Sequence, residues 1–290
     1  MEEERIMTKV GQANAANLAV EASNEVKYVY RRFGRTGGSA PPLVCFVHYR
    51  ANLDNWDPAL VDALAEQREV ILVDNVGVGG SSGKTPDTVT EMAHGAIAFV
   101  DALALPRIDL LGFSLGGFVA QELVLMRPHQ VRRLVLAGTG PQGGEGMHMY
   151  VPEVLEVALR EKIDADAILT IFFEKSESSR AKGREFIQRL RLRQIDRDLP
   201  VTRDTVNAHL TAISTWGIPD ASKLSRLAAI KQPTLVANGD NDIMVPTANS
   251  SLLARHIPNA QLRIYPDAGH AFLFQYAEEF AADVNRFLGR

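Results

Sequence analysis

The sequence predicts an α/β fold, a mostly parallel sheet flanked by helices, on two observations. Short β-branched runs bounded by turn residues alternate with helical periods through most of the chain. One long stretch, residues 140–227, breaks that alternation and carries helical patterns alone, so it reads as a helical insertion over one end of the sheet.

Taken in order, the alternating segment Val26-Lys-Tyr-Val-Tyr-Arg-Arg-Phe33 predicts an antiparallel edge strand, and residues 34–42 a loop. Buried strands are expected at 43–48, 70–75, 108–113, 134–137, 233–238 and 261–265. Helical periods at 56–67, 88–105 and 121–127 supply the crossovers that parallel neighbours require. Within the insertion, helices are expected at 154–160, 165–173, 179–193 and 203–216. The organisation that follows is a tail or arm at 1–17, a core built from 18–139 and 228–290, and a helical cap or lid at 140–227.

Composition narrows the function. With 46% hydrophobic and 23% charged residues over 290 positions, the chain has the proportions of a globular protein, which excludes disordered and fibrous classes. A formal charge of -4, with no basic stripe interleaved with aromatics, argues against nucleic acid and in favour of a small-molecule substrate. No run approaches the ~18 apolar residues of a membrane span, and the acidic start Met1-Glu-Glu-Glu-Arg-Ile-Met7 lacks a signal-peptide core. The expectation is a cytoplasmic protein without a membrane partner. The single cysteine, Cys45, can form neither an internal disulfide nor a cysteine metal site, and no His-Glu-x-x-His spacing occurs. The basic run Arg184, Arg189, Arg191, Arg193 and Arg197 offers an anion site, but a solvated helix face is the plainer reading.

The sharpest local signal is Gly112-Phe-Ser114-Leu-Gly116, set between an apolar strand and a helix. A strand-turn-helix context forces the serine into a strained backbone and exposes its hydroxyl, with the Leu115 N–H beside it at a helix N-terminus. Such a pentapeptide arises by chance in about one chain in ten of this size, so partners are needed. A serine hydroxyl attacks only when a histidine takes its proton and a carboxylate orients that histidine. Both are present downstream, each after a strand: Asp240 and Asp242 in Gly239-Asp-Asn-Asp242, and His270 in Asp267-Ala-Gly-His270.

On these residues the chain resembles the α/β-hydrolase superfamily from about residue 26 onward. Asp74-Asn-Val-Gly77-Val-Gly79-Gly-Ser81 is similar to the family's loop after its fourth strand, and Gly239-Asp-Asn-Asp242-Ile-Met-Val-Pro246 to its acid loop. The resemblance implies an eight-stranded, mostly parallel sheet with a helical cap, and a triad of Ser114, Asp242 and His270 that needs no cofactor. Asp240 then shapes its loop. Backbone N–H groups of Arg50 and Leu115 are the implied oxyanion donors. The family's usual His-Gly pair is here His48-Tyr49, so the Tyr49 hydroxyl is an alternative donor. His48 reads as a residue that holds this loop. His94, His129 and His256 are expected at the surface. His148 and His209 can line a pocket, and Met147, Met149, Phe172, Phe173 and Trp216 read as insertion core.

The implied activity is hydrolysis of a small carboxylic ester, lactone or related carbonyl compound through an acyl-enzyme. A carbon-carbon bond hydrolase, a cofactor-free perhydrolase and a non-catalytic ligand receptor on the same fold remain open.

Overall fold

Successive side chains of β3 (Leu43–Phe46) enter opposite cores, as the two-residue strand period requires. Val44 and Phe46 join the apolar cluster against α2 (Val89–Ala102) and α3 (Leu115–Met126). Leu43 and Cys45 join the cluster against α1 (Pro58–Ala65) and α10 (Ala277–Leu288). Helices on both faces explain why the central strands read as continuous apolar runs. Burial also pushes the Cys45 thiol pKa up, leaving a packing residue.

Residues 10–289 are described in this computed structural model. The eight-stranded sheet has the order β1-β2-β4-β3-β5-β6-β7-β8, with β1 (Leu18–Glu21), β2 (Lys27–Gly34), β4 (Glu69–Val73), β5 (Ile108–Phe113), β6 (Val131–Ala137), β7 (Thr234–Gly239) and β8 (Ala260–Tyr265) around β3. β2 runs antiparallel to both β1 and β4, and the remaining pairs are parallel.

Two strand readings need correction. The segment at 26–33 is an antiparallel strand but not the edge, because β1 pairs outside it. Only four residues long and mostly exposed, β1 has no alternation of burial to reveal it. The strand at 260–265 is not a buried run but the opposite edge, exposed over most of its length.

The helix expected from residue 56 begins at Pro58, because Asp57 accepts a hydrogen bond from the Ala59 N–H and proline is suited to the first helical position. Between β6 and β7 the chain forms α4 (Pro152–Leu159), α5 (Ala165–Phe172), α6 (Glu177–Arg189) and α7 (Arg203–Trp216), with no strand among the described residues there. α8 (Ala248–His256) and α9 (Phe272–Gln275) complete the chain order.

Residues 1–9 of the expected arm lie outside the described residues. The remainder packs on its own chain: Gln12 and Ala15 are buried, and the Arg193 guanidinium donates to both of their carbonyls. No helix among the described residues is long and apolar enough to cross a membrane.

Candidate active site

β3 lies between β4 and β5, so the chain's crossovers diverge on either side of β3. In open α/β sheets the crevice at such a switch point, beyond the carboxyl ends of the strands, is where ligands bind. Here the loop after β3 and the turn after β5 both open into one cavity of about 140 Å³.

Ser114 sits at φ 55° and ψ -119°, a conformation that costs a side-chain-bearing residue and persists only where its surroundings enforce it. Close packing enforces it. A Cβ at Gly116 would lie 2.1 Å from the Phe46 carbonyl oxygen, and one at Gly112 would lie 2.4 Å from that of Gly116. Both glycines therefore let the α3 N-terminus press onto β3 and β5. Thr139 closes the turn by donating to the Ser114 carbonyl at 2.8 Å.

The structure brings Ser114, His270 and Asp242 together. Ser114 Oγ lies 2.9 Å from His270 Nε2, and His270 Nδ1 lies 2.7 Å from Asp242 Oδ2. The other Asp242 oxygen accepts the backbone N–H groups of Met244 and Val245 at 2.8 and 2.9 Å, which pins the carboxylate plane. Asp240 points elsewhere: its carboxylate accepts the N–H groups of Asp267 and Ala268 and ties the acid loop to the histidine loop. The His270 ring packs against Phe113 and, from the insertion, Phe172, at centroid separations of 5.0 and 5.6 Å.

His48 lines the same cavity. Its Nδ1 donates to the Tyr49 carbonyl at 2.9 Å, and burial lowers its pKa to about 3, so the ring is neutral near pH 7 with Nε2 as an acceptor. Tyr49 does not adopt the left-handed angles that glycine tolerates; Arg50 does, at φ 59°. The Tyr49 hydroxyl donates to the Ala158 carbonyl in α4 at 3.1 Å. The Arg50 N–H lies 3.3 Å from His209 Nδ1 in α7. The Leu115 N–H stands in the first turn of α3, where helical carbonyl partners are lacking.

The remaining wall is apolar and comes mostly from the insertion: Ile163, Ile168, Ile171, Phe172 and Leu190, with Met244 from the acid loop. Ile168, Ile171 and Phe172 lie three and four residues apart on α5, a spacing that the sequence displayed without indicating what it faced. Asn55 also lines the cavity and was not foreseen, because its side chain serves a capping box within its own turn. Met147, Phe173 and Trp216 are buried away from it, while Met149 is 79% exposed and belongs to no core. His148 is bound to the Ser214 carbonyl outside the cavity. His94 and His129 are exposed, and His256 is half-buried.

Four arginines of the basic run are engaged by carboxylates or carbonyls of the chain itself. Arg184 pairs with Glu177, Arg189 with Asp57, and Arg197 with Asp54, while Arg193 holds carbonyls of the N-terminal segment. Among the described residues no group of three or more His, Cys, Asp or Glu is placed to hold a metal ion.

With that geometry in place, comparison with known proteins identifies the family. The model of the alpha/beta hydrolase fold matches residues 41–276, and the chain belongs to that family. A solved alpha/beta hydrolase fold protein from Chitinophaga pinensis is 39% identical, with a TM-score of 0.90 over 96% of this chain and 99% of that one. A poly(3-hydroxyalkanoate) depolymerase of Ectopseudomonas oleovorans is 32% identical over 250 residues, covering 85% of this chain and 84% of the depolymerase. The structure of Est816, described as an N-acyl homoserine lactone degrading enzyme, is 27% identical with a TM-score of 0.73, covering 93% and 100% of the two chains. Hydrolase activity is the coarse reading that these relatives support.

Proposed function

We propose that the protein is a serine hydrolase that cleaves a small carboxylic ester or lactone through an acyl-enzyme, with the insertion acting as a cap. The observation that carries this reading is the unbroken chain of contacts from Ser114 Oγ through His270 to Asp242. Ser114 Oγ attacks the substrate carbonyl and passes its proton to His270 Nε2, while Asp242 stabilises the imidazolium that forms. The carbonyl oxygen becomes an oxyanion held by the N–H groups of Leu115 and Arg50. Collapse expels the alcohol, which takes the proton from His270. Water, deprotonated by the same imidazole, then releases the acid and restores Ser114.

Two features support a small, apolar acyl group. A cavity near 140 Å³ is close to the ~150 Å³ that accommodates a benzene-sized guest. Beyond Ser114 and His270, the core side contributes His48, Tyr49, Arg50 and Asn55, the Arg50 guanidinium being engaged by carbonyls of the insertion, and most of the remaining wall is isoleucine, phenylalanine, leucine and methionine. The relatives named as a depolymerase and a lactone-degrading enzyme are consistent with acyl–oxygen cleavage.

The test is labelling with a fluorophosphonate probe, in wild type and Ser114→Ala, with the adduct located by peptide mass. Rapid modification of Ser114, absent from the variant, is expected, together with many turnovers of a short-chain ester. A folded wild type that resists labelling, or that releases only one equivalent of product, sinks the hydrolase reading and leaves a ligand-binding protein.

A further inference from the structure

The loop after β3 is joined to the insertion at several points. From Nη1, Arg50 donates to the carbonyls of Ala158 and Arg160 at 3.1 and 2.6 Å, and from Nη2 to that of Glu161 at 2.6 Å. These carbonyls cluster at the C-terminal end of α4, where unsatisfied acceptors and the helix dipole favour a cation. The Tyr49 hydroxyl donates to the same Ala158 carbonyl. Asn52 Nδ2 donates to the Leu199 carbonyl at 2.8 Å, and the Arg50 N–H faces His209 of α7. Three separate parts of the insertion thus meet four residues of the core, Tyr49, Arg50, Asn52 and Leu53, the last through its N–H 3.3 Å from Asp198 Oδ2.

Arg50 is also the one residue of this loop with positive φ, a backbone state that needs external support in a residue with a side chain. The peptide that carries its N–H is held by His48 at the Tyr49 carbonyl and by His209 at the N–H, and its guanidinium anchors the residue to the end of α4. Resting on the serine-hydrolase reading above, we propose that Arg50 is a positioning residue for the oxyanion site: its side chain clasps α4 so that its own backbone N–H takes up the oxyanion-binding orientation only when the cap is seated. The Arg50 N–H is donated to His209 Nδ1, at a separation long enough to yield to a charged oxygen. Cap closure and oxyanion binding then depend on one residue, whose side chain does the first task and whose main chain does the second.

The oxyanion can be probed directly, because sulfur is a much weaker hydrogen-bond acceptor than oxygen. Wild type, Arg50→Ala and Arg50→Lys are compared by kcat/KM on 4-nitrophenyl acetate and on the matching C=S thionoester. Loss of one oxyanion donor typically costs about 10²-fold, so Arg50→Ala is expected to lose about that factor on the ester and much less on the thionoester. The ester-to-thionoester preference therefore falls at least about tenfold, with Arg50→Lys between. A clasp that merely closes the cap lowers both substrates equally, and a preserved ratio overturns the proposal. Should Arg50→Ala not fold, Arg50→Met, which keeps the side chain's stem and removes only the donors to α4, must still lower the ratio, and an unchanged ratio is the same refutation. A wild type that neither labels on Ser114 nor turns over the ester removes the hydrolase reading itself, a different result from an active wild type with an unmoved ratio.

Discussion

Leu110 lies in the middle of β5, fully buried in an apolar cluster that runs through α2 and α3. Arg189, near the end of α6, is partly exposed and reaches back to the core through two bonds to the buried Asp57 carboxylate and one to the Phe274 carbonyl. The contrast extends to the two regions these residues represent. The sheet and its helices cohere through burial of alternating apolar side chains, a non-directional force spread over many groups. The insertion buries residues such as Phe186 and Val154 but is also fastened at discrete polar points: Arg50 to α4, Arg189 to Asp57, Arg193 to the N-terminal segment, Arg197 to Asp54 and Arg226 to Glu122. Breaking one such directional contact loosens the insertion locally, whereas the sheet core, held by burial, unfolds as a whole. The candidate site lies where the two meet, with Ser114, Asp242 and His270 on the core and most of its apolar wall on the insertion.

The largest expected effect falls on the core side. Asp242→Asn retains the contacts of Oδ1 with Met244 and Val245 but removes the charge facing His270. Ester hydrolysis should fall about 10⁴-fold, with the melting temperature little changed. A fall of less than tenfold would separate this carboxylate from the chemistry.

Next in size are two substitutions that set the regions against each other. Leu110→Ala leaves a cavity in the sheet core and should cost about 3 kcal/mol of global stability, read as a lower urea midpoint for the entire protein. Arg189→Ala should cost less, about 1–2 kcal/mol, and should act locally. Hydrogen exchange is expected to quicken across α6 while the β5 amides keep their protection. Equal loss of protection in both places would mean that the insertion is not a separate unit of stability, and the contrast drawn above would fail.

The same division explains what could be read from the sequence. The strands at 43–46 and 108–113 announce themselves by apolar composition, and Ser114, Asp242 and His270 by local motifs after strands. Each is a signal contained within about ten residues. The clasp is not: Arg50 and its acceptors are 108 to 111 positions apart, and the acceptors are backbone carbonyls that carry no side-chain signature. For the same reason the basic run gave no clue to its partners, since Asp57 lies 132 positions from Arg189. The short strand β1 was missed because its side chains are mostly exposed, which leaves period-two patterning with nothing to report.

The smallest expected effect concerns another contact between the regions. Asp74, at the end of β4, and Asp198, in the insertion, both face the Leu53 N–H, Asp74 Oδ1 at 3.0 Å and Asp198 Oδ2 at 3.3 Å. Burial, and then the facing Asp198 carboxyl, hold the Asp74 pKa well above the usual carboxylate range. The native state therefore binds this proton more tightly than the unfolded chain, whose aspartates titrate near ~3.9. The associated stability is fully present below that value and is lost as pH rises through the native one. Asp74→Asn keeps an acceptor for Leu53 and removes the titration. Its melting temperature relative to wild type should rise as pH increases from about 4 and level off above the native pKa, with a gain on the order of 2 °C at the upper end. A difference that stays constant with pH would mean that Asp74 is ionised in the native protein, and that the core and the insertion meet here through a charge stabilised by other groups rather than through a protonated carboxyl.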